Sequence, residues 1–246
     1  MRAGGNWIMV LRVFCAAIFA VGGFSGLAFA QIPTSTADRV TTPGAQAQAL
    51  VRESDRIFRK TVACAAERAG TRARHLLATS PGSAEESRIA WSFQSRLDFC
   101  LSGYQGIRFP LNMLRGGFAE IIYHQEFPGG LKIDGTPDSA ATAWTEPRLD
   151  GGGNEASELS HSAARCLVVS HPLQARNLLA TEPLSEAEQH VFDEIQPLLG
   201  PCLFQGVKFT ASRQMLRGLI AEAALGYAIA RRDGFDKLAT AAAAKK

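Results

Sequence analysis

Apolar residues along this chain recur at helical spacing. Leu216, Leu219, Ile220, Ala223, Ala224 and Tyr227 fall at i, i+3, i+4, i+7, i+8 and i+11, which places them on one face of a helix. Ser83-Ala-Glu-Glu86 and Ser185-Glu-Ala-Glu188 both read as S-x-x-E capping boxes, in which the serine accepts from a backbone N–H and the glutamate reaches back to the cap. A short helix ending in Leu-Leu-Ala-Thr precedes each box. Before that comes a cysteine-bearing helix, predicted from about Ser54 to Arg68 and again from about Ala156 to Val169. A last helix follows Pro110 in one case and Ser212 in the other, residues suited to its first turn. Strand-like alternation is nearly absent. Gly106-Ile-Arg-Phe109 and Gly206-Val-Lys-Phe209 are the only candidates, and each is too short to found a sheet. The pattern predicts an all-α protein with about four helices in each of two units.

The two units are read from an internal repeat at a spacing of 102 residues. Arg74-His-Leu-Leu-Ala-Thr-Ser-Pro-Gly-Ser recurs as Arg176-Asn-Leu-Leu-Ala-Thr-Glu-Pro-Leu-Ser, and Met113-Leu-Arg-Gly as Met215-Leu-Arg-Gly. The same offset carries Cys64 onto Cys166, Cys100 onto Cys202, and Ala119-Glu120 onto Ala221-Glu222. The sequence divides into an export signal (1–30), a flexible leader (31–53), unit one (54–124), a Gly/Pro-rich linker (125–156), unit two (157–231) and an Ala/Lys-rich tail (232–246). Gly151-Gly-Gly-Asn154 in the linker lacks the spacing of a phosphate cradle and reads as plain connector.

The first thirty residues read as an export signal, with cleavage expected over retention as an uncleaved anchor. Arg2 and Arg12 give a positive start, Val13 to Val21 an apolar core, and Ala28-Phe29-Ala30 a small-x-small cleavage site before Gln31, with Met9 as an alternative start. Cleavage there leaves no transmembrane segment, and 24 basic against 23 acidic residues. That near-neutral balance gives no support to a nucleic-acid or anionic-membrane partner, both of which need a concentrated basic surface, and no nucleic-acid partner is expected. The four remaining cysteines then read as disulfides. Three pairings are open to them, and all three suit a two-fold repeat. An ancestral unit with two cysteines would most simply close its own bond, giving Cys64–Cys100 and Cys166–Cys202, each worth roughly 3–4 kcal/mol in the chain-entropy model. No CxxC occurs and no histidine shares the repeat, so no metal and no cofactor is expected.

Among polar residues the duplicated pairs Arg115/Glu120 and Arg217/Glu222 stand out. Their i, i+5 spacing sets the two side chains about 140° apart, flanking the apolar face instead of bridging each other. The structural reading gives them ion pairs to neighbouring helices, or guanidinium bonds to helix-end carbonyls. Two functional readings compete: Glu120 and Glu222 together as an acid/base pair, or Arg115 and Arg217 together as an anion clamp. Arg74 and Arg176 read as structural. Gly116 and Gly218 sit mid-helix, where glycine costs about 1 kcal/mol relative to alanine, and so imply close packing against the matching face of the other unit, a neighbouring helix or a partner protein, with packing within the chain favoured. His75, His124, His161, His171 and His190 form no metal or triad spacing, and no G-x-S-x-G follows the signal. Phe58, Phe93 and Phe99 read as core, and Trp91 and Trp144 occur once each.

Found twice behind an export signal, the combination C…RxLLATxPxSxxE…C…MLRGxxAE resembles exported helical proteins of sphingomonad-type alphaproteobacteria, over roughly Ser54 to Tyr227. The resemblance implies compartment and repeat architecture and carries over no catalytic residue. The function expected is that of a periplasmic or secreted, non-enzymatic protein with an interaction or structural role. Binding of a small anionic ligand between the units is the alternative, and a hydrolase using the paired glutamates is the third reading. The partner, whether protein or small ligand, is not identified by the sequence.

Overall fold

Helix-forming runs between Pro and Gly punctuation condense into an all-helical structure. The computed structural model describes residues 45–104, 107, 109–132, 139–148, 152–204 and 209–235. The export signal, residues 31–44 of the leader and residues 236–246 of the tail lie outside them. Among the described residues the first half runs α1 (Ala45–Ala69), α2 (Thr71–Leu77), α3 (Ala84–Trp91), α4 (Gln94–Cys100) and α5 (Leu111–Glu126). After α6 (Ser139–Trp144), the second half runs α7 (Glu155–Ser170), α8 (Pro172–Ala180), α9 (Glu186–Leu199), a 3-10 turn (Gly200–Cys202) and α10 (Arg213–Asp233). Both halves belong to one compact unit.

The two predicted disulfides are present. Cys64 bonds Cys100 and Cys166 bonds Cys202, each across a sequence separation of 36, with Cα–Cα distances of 5.9 and 5.6 Å. No helix among the described residues is long and apolar enough to cross a membrane. The core joins the halves, with Phe58, Val62, Phe118, Leu167, Ile195 and Ile220 buried in one cluster. The predicted stripe of α10 faces it, and Ile220 and Ala224 are fully buried.

Several boundaries differ from the sequence expectation. Residues 45–53, read as flexible leader, are the first turns of α1. Ala45-Gln-Ala-Gln-Ala-Leu-Val-Arg-Glu53 is made of strong helix formers, and propensity extends the helix although residues 48–54 stay exposed. Unit one carries five helices, because the segment matching α9 breaks after Trp91 into α3 and α4. The linker is not plain connector either. Its α6 lays Trp144 against Tyr227 and Phe235, with ring centroids 6.2 and 6.3 Å away. Asn154 caps α7 by accepting from Ser157 N–H, and donates its own N–H to the Pro81 carbonyl at 3.0 Å, tying the linker to the first half. α10 runs to Asp233, into the predicted tail. Of the two strand candidates, Ile107, Phe109 and Phe209 form no strand, and the intervening residues lie outside the described set. Phe58 and Phe93 are core, as expected. Phe99 is 56% exposed, because the separate α4 turns it outward beneath the Arg68 guanidinium, 3.8 Å from the ring centroid.

Candidate functional site

The central feature is the crossing of α5 and α10 at their glycines. A Cβ on Gly116 would lie 2.4 Å from Gly218 Cα, and one on Gly218 would lie 3.0 Å from Gly116 Cα. The backbones therefore touch, which explains why both helices keep a residue that weakens them. Ala119 and Ala221, one turn on, are fully buried. Close packing within the chain was the expectation at these glycines, and of the candidates weighed it is the matching face of the other half that they meet.

This close approach brings Arg115 and Arg217, each one residue before its glycine, within reach of both halves. Arg115 is 1% exposed. Its Nη1 donates to the Leu76 carbonyl at 2.8 Å, to Thr79 Oγ1 at 3.0 Å and to Glu86 Oε1 at 3.1 Å. Its Nη2 donates to the Leu77 and Thr79 carbonyls, both at 3.2 Å, and to Glu222. Nε completes the set at 3.1 Å from Glu222 Oε2. Arg217, 2% exposed, repeats the arrangement. It donates to the Leu178 carbonyl at 2.9 Å, Thr181 Oγ1 at 3.1 Å, Glu188 Oε1 at 2.9 Å and the Thr181 carbonyl at 3.0 Å. Its Nε and Nη2 reach Glu120 Oε1 at 2.9 and 2.7 Å. Every guanidinium nitrogen of both residues is bonded.

The repeated motif R-x-L-L-A-T-x-P-x-S-x-x-E is thereby accounted for locally. Its Leu and Thr carbonyls are the loose ends of α2 and α8, which a cation satisfies well. Its threonine donates back to Leu76 or Leu178, both at 2.6 Å, leaving the hydroxyl oxygen free to accept from arginine. Its serine caps the next helix by accepting from Glu86 or Glu188 N–H. The glutamate departs from the standard box. It accepts from the residue before the cap, Gly82 or Leu184, and gives its other oxygen to the buried arginine. Gly82 and Leu184 both adopt left-handed backbone, at φ 74° and 59°.

Charge is crossed between halves: Arg115 of the first takes Glu222 of the second, and Arg217 of the second takes Glu120 of the first. Burial acts to raise the Glu222 carboxyl, but Arg115 and His161 outweigh it and hold it well below the usual carboxylate range. Burial acts the same way on Glu120, and Arg217, with Arg59 and His124, lowers it. Both glutamates are therefore ionised and committed to cations.

Sequence reading did not single out Arg59, and weighed His161 only as a lone histidine with no metal or triad spacing. The 102-residue offset places them at matching positions, and each faces its own half's last-helix glutamate: Arg59 lies 3.5 Å from Glu120, and His161 lies 3.3 Å from Glu222. The offset was the signal, hidden because the residue type changes. Among the predicted structural arginines, Arg74 pairs with Glu126, which also takes Arg232. No three His, Cys, Asp or Glu side chains among the described residues come together as metal ligands. No family model, curated protein or solved structure matches the chain.

Proposed function

We propose that the chain is an exported, non-enzymatic protein in which two disulfide-closed helical units are locked into one scaffold for binding a partner. The observation that carries this reading is the reciprocal clamp. The duplicated Arg and Glu residues, which are the strongest candidates for chemistry, spend their bonding capacity on each other and on helix ends. A general acid must hold a proton near neutral pH, and both carboxyls are held in the opposite state. An anion clamp needs unspent guanidinium donors, and Arg115 and Arg217 keep no nitrogen without an acceptor. Export is supported by the signal pattern before Gln31, and by two disulfides, which persist in oxidising compartments.

Thermal melts of Glu120→Gln, Glu222→Gln and the double variant test the reading. Each single change is expected to lower stability by about 1–3 kcal/mol through a lost charged hydrogen bond. Unchanged or raised midpoints would return the glutamates to candidacy as a catalytic pair. Intact mass of the exported protein checks the compartment, and a chain beginning at Gln31 is expected.

A further inference from the structure

The two halves differ in how the third helix runs after Trp91, and there a groove opens. Ser83 and Ser185 cap α3 and α9, and Glu86 and Glu188 occupy the same position in each, so the helices share one register. Ala90 is thus the counterpart of Phe192. Phe192 is buried in the core, 7% exposed, whereas at Ala90 the phenyl ring is missing. One residue later the first half breaks its helix at Trp91, which is 75% exposed, while α9 continues to Leu199. Between α3, α4 and the start of α5 lies a groove of about 880 Å³, lined by Ala90, Trp91, Leu97, Leu101, Phe109 and Leu114 among others. That volume falls within the range of small-molecule sites, roughly 300–1,000 Å³. An indole left on the rim of such a groove is a large apolar surface with nothing of its own chain to cover it.

We propose that this groove binds a small aromatic molecule, its ring taking the place that the Phe192 phenyl fills in the other half, with the Trp91 indole stacked over it. The second half shows which chemistry fits this position, because the same helix register there receives a phenyl ring from the chain itself. Charge at the mouth narrows the class. Among the described lining residues Asp98, held by Gln94 Nε2 at 2.8 Å, is the charged one, and it favours a cationic aromatic amine over an aromatic carboxylate. The site is separate from the Arg–Glu clamps and adds a ligand class to the scaffold reading. Failure of either leaves the other standing.

Calorimetric titration of the full chain with 2-phenylethylamine, and with phenylacetate for comparison, is the test. The expected result is one-site binding of the amine and weaker binding of the acid. Ala90→Phe should weaken the amine by about tenfold or more by filling the groove, while keeping or raising the melting temperature. Trp91→Ala, at an exposed position, should weaken binding without affecting the fold. Absence of amine binding to the unaltered chain, or wild-type affinity in A90F, would overturn the proposal. If A90F does not fold, W91A decides, and unchanged affinity there would overturn it equally.

Discussion

Arg115 illustrates how one residue sets conditions on two distant segments. It reaches the carbonyls of residues 76, 77 and 79 in its own half and a carboxylate in the other. Removing it by Arg115→Met leaves Glu86 without its cation and Glu222 with His161 alone, and loss of one partner from a buried pair costs roughly 3–5 kcal/mol. A urea titration should show that loss. The glutamates also determine the acid limb of stability. Their folded carboxyls titrate below the unfolded value, so the folded state binds fewer protons. Their contribution is then full above about pH 5 and is lost as pH falls through the carboxylate range. Stability of the unaltered chain should fall steeply on acidification below pH 5 or so, and E222Q should fall less steeply over the same range. Leu184 offers a change in the opposite direction. It is the one non-glycine residue with positive φ among those described, where its counterpart is Gly82. Leu184→Asn should raise stability by about 0.5–1 kcal/mol, because asparagine tolerates left-handed backbone better than leucine. A thermal melt reads the gain.

At the scale of elements, the α5/α10 crossing governs how the halves fit. Alanine improves helix propensity at either glycine, but the two sites differ in room. A methyl on Gly116 meets Gly218 backbone at 2.4 Å, which the helices must separate to admit, whereas on Gly218 the nearest atom is at 3.0 Å. Gly116→Ala should therefore destabilise by about 1–3 kcal/mol through overpacking, and Gly218→Ala by distinctly less. What the sequence revealed follows the range of the forces involved. Capping by Ser83 and Ser185 and the stripe from Leu216 to Tyr227 are local, so they could be read directly. Close packing at Gly116 and Gly218 was inferred from the cost of glycine kept twice, which is a local penalty pointing to a distant cause, while the contact of one with the other came from the structure. Partner choice could not be inferred this way. Nothing within a few residues of Arg115 says that Glu222, 107 positions away, completes it in preference to Glu120. The helical start at Ala45 and the outward turn of Phe99 were missed for the opposite reason: propensity acts there without burial, and pattern reading expects the two together.

On the scale of the whole molecule, the halves are tied by exchange. Each disulfide closes its own half, and each arginine completes its set of bonds with the other half's glutamate. The described helices should therefore unfold as one cooperative body, although each half carries its own cross-link. Hydrogen exchange followed by mass spectrometry, comparing the unaltered chain with Glu222→Gln, tests that claim most directly. Glu222 lies on α10, yet its loss should reduce protection in α2 and α3 of the first half as much as in α10, because Arg115 holds both ends. Loss of protection confined to α7–α10, with α2 and α3 exchanging at their original rates, would contradict it.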